Sequence, residues 1–378
     1  MKKIKLFAAL CATSLLASAL VSCGNDKQEG GGDKPLPTVK LGLHANLGAG
    51  AGYSAFYRDY FKKAGVNVQI EVGGGPALAT KVVSGDLDVS FMGGGVAWNY
   101  FTTNQEIKIA ALDNLTDDDR LIATTKGKGK DLTIKSSLEE IGAALKNSTV
   151  ALDFTTNPYQ WFTTSLIPAI NAKLKDGDKV WYKDKEGKNL PENLTSYETD
   201  DEIYLADVLN ANLTTTMAGG KYDYAVAFAP VATALEKQTS NYKTVAKTST
   251  HLSESYQPST YAVNTKWLEK NEETFKKFMV GLVGGMNYRH DNPEETCKDV
   301  EKGTGGQVSA STMNTDIAIW LNAEQQLELY NNGKMLKYTE NIRQGKLSNE
   351  KVDKNITAEK ANVFSYLVEA CNTVLGKK

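Results

Sequence analysis

The sequence predicts an α/β protein of two lobes, each built on a largely parallel sheet, with one ligand cleft between them. Three observations carry this. From Thr38 onward, short apolar runs alternate with longer amphipathic ones, as in βαβ units. A polar break over residues 114–119 separates two such sections, and a strand-like TYAVN at 260–264 leads the chain back to the first. The 378-residue length also exceeds what one hydrophobic core usually serves.

The first element is an address, not part of the fold. Lys2, Lys3 and Lys5 precede an apolar run over residues 6–21, and the sequence then closes in LVSC at Cys23. This resembles a bacterial lipoprotein signal, which implies cleavage before Cys23 and lipid attached to its sulfur. The run is short for a membrane span, and a polar stretch follows it in place of a stop-transfer pattern. GNDKQEGGGDKPLPT, residues 24–38, has almost nothing apolar to bury and is expected to be a flexible leash. The expected segments are a signal at 1–22, a tether at 23–37, a first lobe from 38–120 plus 259–378, and a second lobe from 121–258. Acyl chains would hold such a body on a membrane surface outside the cytoplasm.

Within the first lobe, strands are expected at 39–43, 66–72, 87–92 and 107–112, with helices at 53–64 and 77–84. The strand LIATT at 121–125 carries the chain across a hinge. The second lobe then offers a helix at 137–145, a strand at 149–153 and a helix at 158–173, before a polar, turn-rich excursion over 175–201. A helix near 206–218 and a strand at 224–228 complete it. After the returning strand the pattern is helical, around 272–288, 315–331 and 358–375.

Composition removes several functions. Lysine and arginine total 43 against 45 acidic residues, for a formal charge of −2, and losing the signal lysines makes the remainder more acidic. Nucleic acid, which needs a basic surface, is not an expected partner. Of four cysteines, Cys11 leaves with the signal and Cys23 carries lipid, so Cys297 and Cys371 remain, either as a disulfide or as two separately buried thiols. The only histidines are His44, His251 and His290, and no Cys and His spacing suggests zinc, so no metal or cofactor is expected.

SGDLDVSFMGGGVA (84–97) carries a family resemblance, together with GGGPALATKVVSG (73–85), AGGKYDYAVAFAP (218–230) and TYAVNTKWLEKNEETFKKFM (260–279). In this order they resemble segments of the nitrate, sulfonate and taurine type of periplasmic binding proteins, a group related to thiamine-precursor binders. The resemblance runs from about residue 39 to 292, with a looser match at 339–348. It departs from the family at Asn271, Glu272 and Glu273, where the Pro of an Asn-Pro-Glu-like turn is missing. It implies the type II periplasmic-binding-protein-like fold.

Physical chemistry gives these motifs a use. Gly93, Gly94 and Gly95 lack Cβ atoms, so the chain can turn sharply off a strand and present its amides closely to a ligand. A helix starting there has unpaired N–H groups and the positive end of its dipole, which favour an anion. Thr155, Thr156 and Asn157, followed by Pro158, repeat the device in the second lobe; the plain alternative is an ordinary helix cap. Asp113 and Asp153 end predicted strands and could meet a cationic group in the cleft, or merely cap the next turn. Trp98, Tyr159 and Phe228 are the expected aromatic walls, and the segment just past the first strand, with Asn46, Leu47 and Gly48, is a further contact.

The expected function is a lipid-anchored solute-binding protein of an ABC importer, monomeric and without enzymatic activity, which captures a small anionic or zwitterionic nutrient by lobe closure and delivers it to a membrane permease. An amino-substituted heterocycle such as a thiamine pyrimidine precursor is the alternative ligand. An exported enzyme on the same fold is the rival class, but the cysteine-rich segment of the suicide thiamine-precursor synthase is absent, as is any Ser, His and Asp grouping. An extracellular adhesin fits two lobes around a cleft less well.

Overall fold

The computed structural model describes residues 35–101, 106–154, 156–183, 202–229, 231–252, 256–347 and 352–377. The signal, Cys23, most of the tether and Thr155 lie outside the described residues. The described strands form two six-stranded sheets.

The first sheet contains β1 (Thr38–Leu43), β2 (Asn67–Val72), β3 (Val89–Gly93), β4 (Ile107–Thr116), β11 (Gln257–Asn264) and β12 (Ala318–Trp320). Its order is β12-β4-β11-β3-β1-β2. β2, β1 and β3 run parallel, whereas β11 is antiparallel to both β3 and β4. The second sheet contains β5 (Arg120–Thr124), β6 (Thr149–Leu152), β7 (Trp181–Lys183), β8 (Glu202–Asp207), β9 (Tyr224–Ala227) and β10 (Tyr242–Lys247), in the order β10-β5-β9-β6-β8-β7. β9, β6, β8 and β7 are parallel, and β5 and β10 are antiparallel additions. Both sheets are therefore mixed. The chain crosses between them twice, after β4 and again between β10 and β11.

Strand faces explain why the second sheet needs helices on both sides. Leu121, Val150 and Val226 enter one apolar cluster, while their neighbours Ile122, Ala151 and Ala225 enter another. With period-two alternation and both faces apolar, each face must be covered. In the first lobe, Val39, Leu41, Leu43 and Val89 join Phe275, Phe278 and Met279 of the Glu272–Asp291 helix in one core. That helix can lie close to the Gly50–Tyr57 helix because Gly285 has no Cβ, which would strike the Ala51 carbonyl oxygen.

Several elements differ from the sequence expectation. Residues 114–116 extend β4, which shortens the polar break to 117–119. The helix expected at 53–64 starts at Gly50 and is interrupted at Asp59, whose φ of 60° is left-handed. The helix expected near 206–218 is only Leu213–Ala218 and follows β8, whose Ile203 and Leu205 are buried on either side of half-exposed Tyr204. Similarly, 315–331 divides into β12 and the Ala323–Asn331 helix. Cys297 and Cys371 are both free and buried, so the disulfide alternative falls.

Candidate functional site

β1 and β3 in one sheet, and β6 and β9 in the other, are parallel strands whose C-terminal ends supply the loops expected to hold a ligand. After β1, Asn46 caps a single 3₁₀ turn, Leu47–Ala49, by accepting from the Ala49 N–H at 3.3 Å. Asn46 is exposed, Gly48 is half-buried and Leu47 is buried in the core. Tyr53 donates its hydroxyl to the His44 carbonyl at 3.0 Å, and the His44 ring meets Phe91 edge-on, with centroids 5.0 Å apart. Burial lowers the His44 pKa to about 4, so the imidazole is neutral at ordinary pH. The Gly48 carbonyl accepts from Arg289 Nη1 at 3.1 Å and from Asn114 Nδ2 at 3.3 Å.

The glycine turn ends β3 as expected, but its three residues have different neighbours. Gly93 caps the short Gly94–Trp98 helix, and a methyl built on it would lie 3.7 Å from Asn157 Nδ2 in the other lobe. A methyl on Gly95 would lie 3.2 Å from Gln160 Oε1 and 3.7 Å from Lys346 Cε. Gly94 instead turns inward, where a methyl would meet Ile342 Cδ1 at 2.5 Å and the Pro258 carbonyl at 2.8 Å. Gly93 and Gly95 thus face the second lobe, whereas Gly94 is a packing residue.

Opposite this turn stands the Asn157–Trp161 helix, capped by Thr156 in extended conformation, with Pro158 in its first turn. The Thr156 hydroxyl donates back to the Asp153 carbonyl at 2.9 Å, while the Asn157 side chain is exposed. Tyr159 is half-buried against Phe154, with centroids 4.8 Å apart. Phe228, also half-buried, follows β9, and the next amide, Ala229 N–H, donates to both oxygens of Asp118 at 3.0 Å.

Besides Leu47 and Gly94, the structure gives Trp98, Asp113 and Asp153 other partners than a ligand. Trp98 has no exposed surface and packs on Phe101 at 4.7 Å, because its helix is so short that residue 98 is its last position and turns under into the core. Asp113 is fully buried and already has its cation, Arg289 Nη1 at 2.6 Å. Burial pushes the Asp113 carboxyl up, and Arg289 and Asn114 oppose that rise. Asp153 Oδ2 accepts from the Asn210 N–H at 2.9 Å, so this carboxylate ties two loops together.

A group that sequence reasoning missed lies in the first crossing. Asp117 accepts from the Ser249 N–H at 2.6 Å and pairs with Lys247 at 3.1 Å, which fastens one crossing to the other. Arg120 pairs with Glu236 and lies 3.8 Å from Asp118. Asp119 is buried beside the charges of Asp118, Asp117 and Arg120. Burial first, then Asp118 and Asp117, raises its pKa to about 8, and burial raises that of Asp118 to about 6. The DDD run at 117–119 was visible in the sequence as a polar break; its burial was the missing signal. Among the described residues there is no group of three His, Cys, Asp or Glu side chains able to hold a metal, and no helix long and apolar enough to cross a membrane.

Solved structures decide the architecture. The periplasmic sulfonate-binding protein SsuA of Methylobacillus flagellatus, described as putative, superposes with a TM-score of 0.60 at 12% identity, covering 91% of this chain and 96% of that one. The fold is that of the type II periplasmic binding proteins. The nitrate-binding protein NrtA of Synechocystis gives 0.56 at 13% identity, covering 90% of this chain and 89% of its own. DSZB, an enzyme solved with biphenyl-2-sulfinic acid, gives 0.57 at 11% identity, covering 89% and 99%. Residues 178–296 match the family described as NMT1/THI5-like. No curated protein matches the chain.

Proposed function

We propose that this protein is a lipid-anchored, extracytoplasmic solute-binding component of an ABC importer, which closes its two lobes over a small anionic or zwitterionic nutrient. The observation that carries the reading is the approach of Gly93 and Gly95 to Asn157 and Gln160. Bare backbone from one lobe there faces a helix start and two side-chain amides of the other. The backbone amides and the Asn157 amide can donate hydrogen bonds there, and Lys346 Nζ, 3.8 Å from the place of a Gly95 methyl, brings a positive charge, which suits an oxyanion. A solute touching both lobes favours the closed arrangement by the difference between its affinities for the closed and open forms. Sulfonate and nitrate, named for the structural neighbours, are the first ligands to test. The anchor reading rests on the LVSC sequence at Cys23 and places the captured solute within reach of a permease.

A second reading, a solute bearing an amino group, is favoured by the buried acids Asp118 and Asp119 of the first crossing, whose carboxyls a nearby cationic group would hold ionised. Thermal unfolding with nitrate, alkanesulfonates, amines and pyrimidines, together with recovery of each compound, tests both. Stabilisation by one class with the compound recovered unchanged is expected. No stabilisation by any class refutes the binding reading, and chemical conversion would place the protein with the enzymes of this fold.

A further inference from the structure

We infer that Arg289 is a positioning residue for the ligand loop, holding Asn46, Leu47 and Gly48 in place from inside the first lobe. The inference rests on the reading that this loop lines the solute cleft.

Arg289 lies near the end of the Glu272–Asp291 helix, remote in sequence from the loop, and is fully buried. Its Nη1 donates to Asp113 Oδ2 at 2.6 Å and to the Gly48 carbonyl at 3.1 Å. Nη2 donates to the Asp113 carbonyl at 2.8 Å, and the guanidinium carbon lies 4.7 Å from the Trp320 ring centre. Nε has no hydrogen-bond partner among the described residues. Asn114 completes the clasp, because its Nδ2 reaches both Asp113 Oδ2 at 2.7 Å and the same Gly48 carbonyl at 3.3 Å.

The loop needs such a hold. Its 3₁₀ turn is three residues long and is closed by the Asn46 side chain, by a 3.3 Å backbone bond from the Ala49 N–H to the Asn46 carbonyl and by one from the Gly50 N–H to the Leu47 carbonyl, a geometry poorer than that of an α-helix. The Gly48 carbonyl is therefore fixed from outside, by donors on β4 and on the long helix. A guanidinium suits this role because its rigid fork can serve a carboxylate, a backbone carbonyl and an aromatic face together. A lysine would keep the charge beside Asp113 but not the fork. The sequence alone hides this arrangement, since Asp113 reads as a cleft carboxylate and Arg289 lies just past the helix expected at 272–288.

The test is Arg289→Lys in the full chain, with Phe275→Leu as a control for core destabilisation away from the loop. Hydrogen exchange of the peptide spanning residues 44–52 is measured at equal distance below each Tm, and binding of nitrate and methanesulfonate is measured by calorimetry. Exchange in that peptide is expected to be about tenfold faster in Arg289→Lys only, with about tenfold weaker binding of whichever probe the wild type binds, the equivalent of one lost hydrogen bond. Exchange unchanged from wild type, or accelerated equally in the Phe275→Leu control, overturns the inference. Faster exchange with unchanged affinity for a bound probe overturns it as well, since the clasp would then not serve the cleft. If the wild type binds neither probe, that result counts against an oxyanion solute, and the exchange comparison still decides the clasp.

Discussion

Replacing adjacent glycines at 93 and 94 should separate stability from binding. At Gly94 a methyl would lie 2.5 Å from Ile342 Cδ1 and 2.8 Å from the Pro258 carbonyl. The isoleucine can change rotamer. The carbonyl belongs to β11, where Pro258 is in register with Leu115 of β4, so moving it disturbs the sheet. Overpacking of this kind costs about 1–3 kcal/mol. Gly94→Ala should therefore lower Tm by several degrees, taking roughly 2–4 °C per kcal/mol for a domain of this size. Gly93 has φ −62°, open to any residue, and the nearest atom to an added methyl is Asn157 Nδ2 at 3.7 Å. Gly93→Ala should stay within about 0.5 kcal/mol of wild type. Gly93→Val, which sends larger groups toward Asn157, should weaken solute binding by about tenfold or more while leaving the lobes folded. Scanning fluorimetry and calorimetry on the three variants provide the assay. A Gly94→Ala protein as stable as wild type would refute the packing account of Gly94. Unchanged affinity in Gly93→Val would remove the glycine turn from the site.

The hinge acids set a pH dependence. A carboxyl whose folded pKa lies above its unfolded value favours folding most below the unfolded value, near 4, and loses that contribution as pH rises through the folded pKa, about 8 for Asp119. Wild-type Tm should thus fall across that window, and Asp119→Asn should flatten the fall; parallel curves for the two proteins would contradict it. Thr248→Val removes the partner of Trp161 Nε1, 2.9 Å away, and should cost about 1–3 kcal/mol in urea unfolding by leaving a buried N–H unpaired. Cys297 and Cys371, both buried, with the Cys371 thiol pushed up to about 12, should react with a thiol reagent only after denaturation. A disulfide between them seen by mass spectrometry would contradict the two free thiols.

What the sequence made legible was local. Glycines at 93–95 announce a turn because no other residue leaves the backbone so open, and the helix expected at 137–145 is present as Leu138–Leu145, which the structure starts with a capping box of Ser137 and Glu140. TVALD and YAVAF read as strands because their apolar runs are short and β-branched. The misreadings came from distant partners. Asp113 looks like a cleft carboxylate until Arg289, far along the chain, is folded against it. EIYLAD alternates with period two, but the helix-favouring residues after it hide a strand whose parallel partners are β6 and β7. Trp98 follows a glycine turn as a ligand wall would, yet whether it faces the gap or the core depends on how soon its helix ends.

The central claim, a solute held between two lobes, is tested most directly by distance measurement. Spin labels at Lys63→Cys and Asp176→Cys, both exposed and in different lobes, report lobe separation in the Leu36–Lys378 unit. With the compound that stabilises the protein added, the account predicts a shorter and narrower distance distribution, reversed on dialysis. An identical distribution with saturating compound present would contradict it.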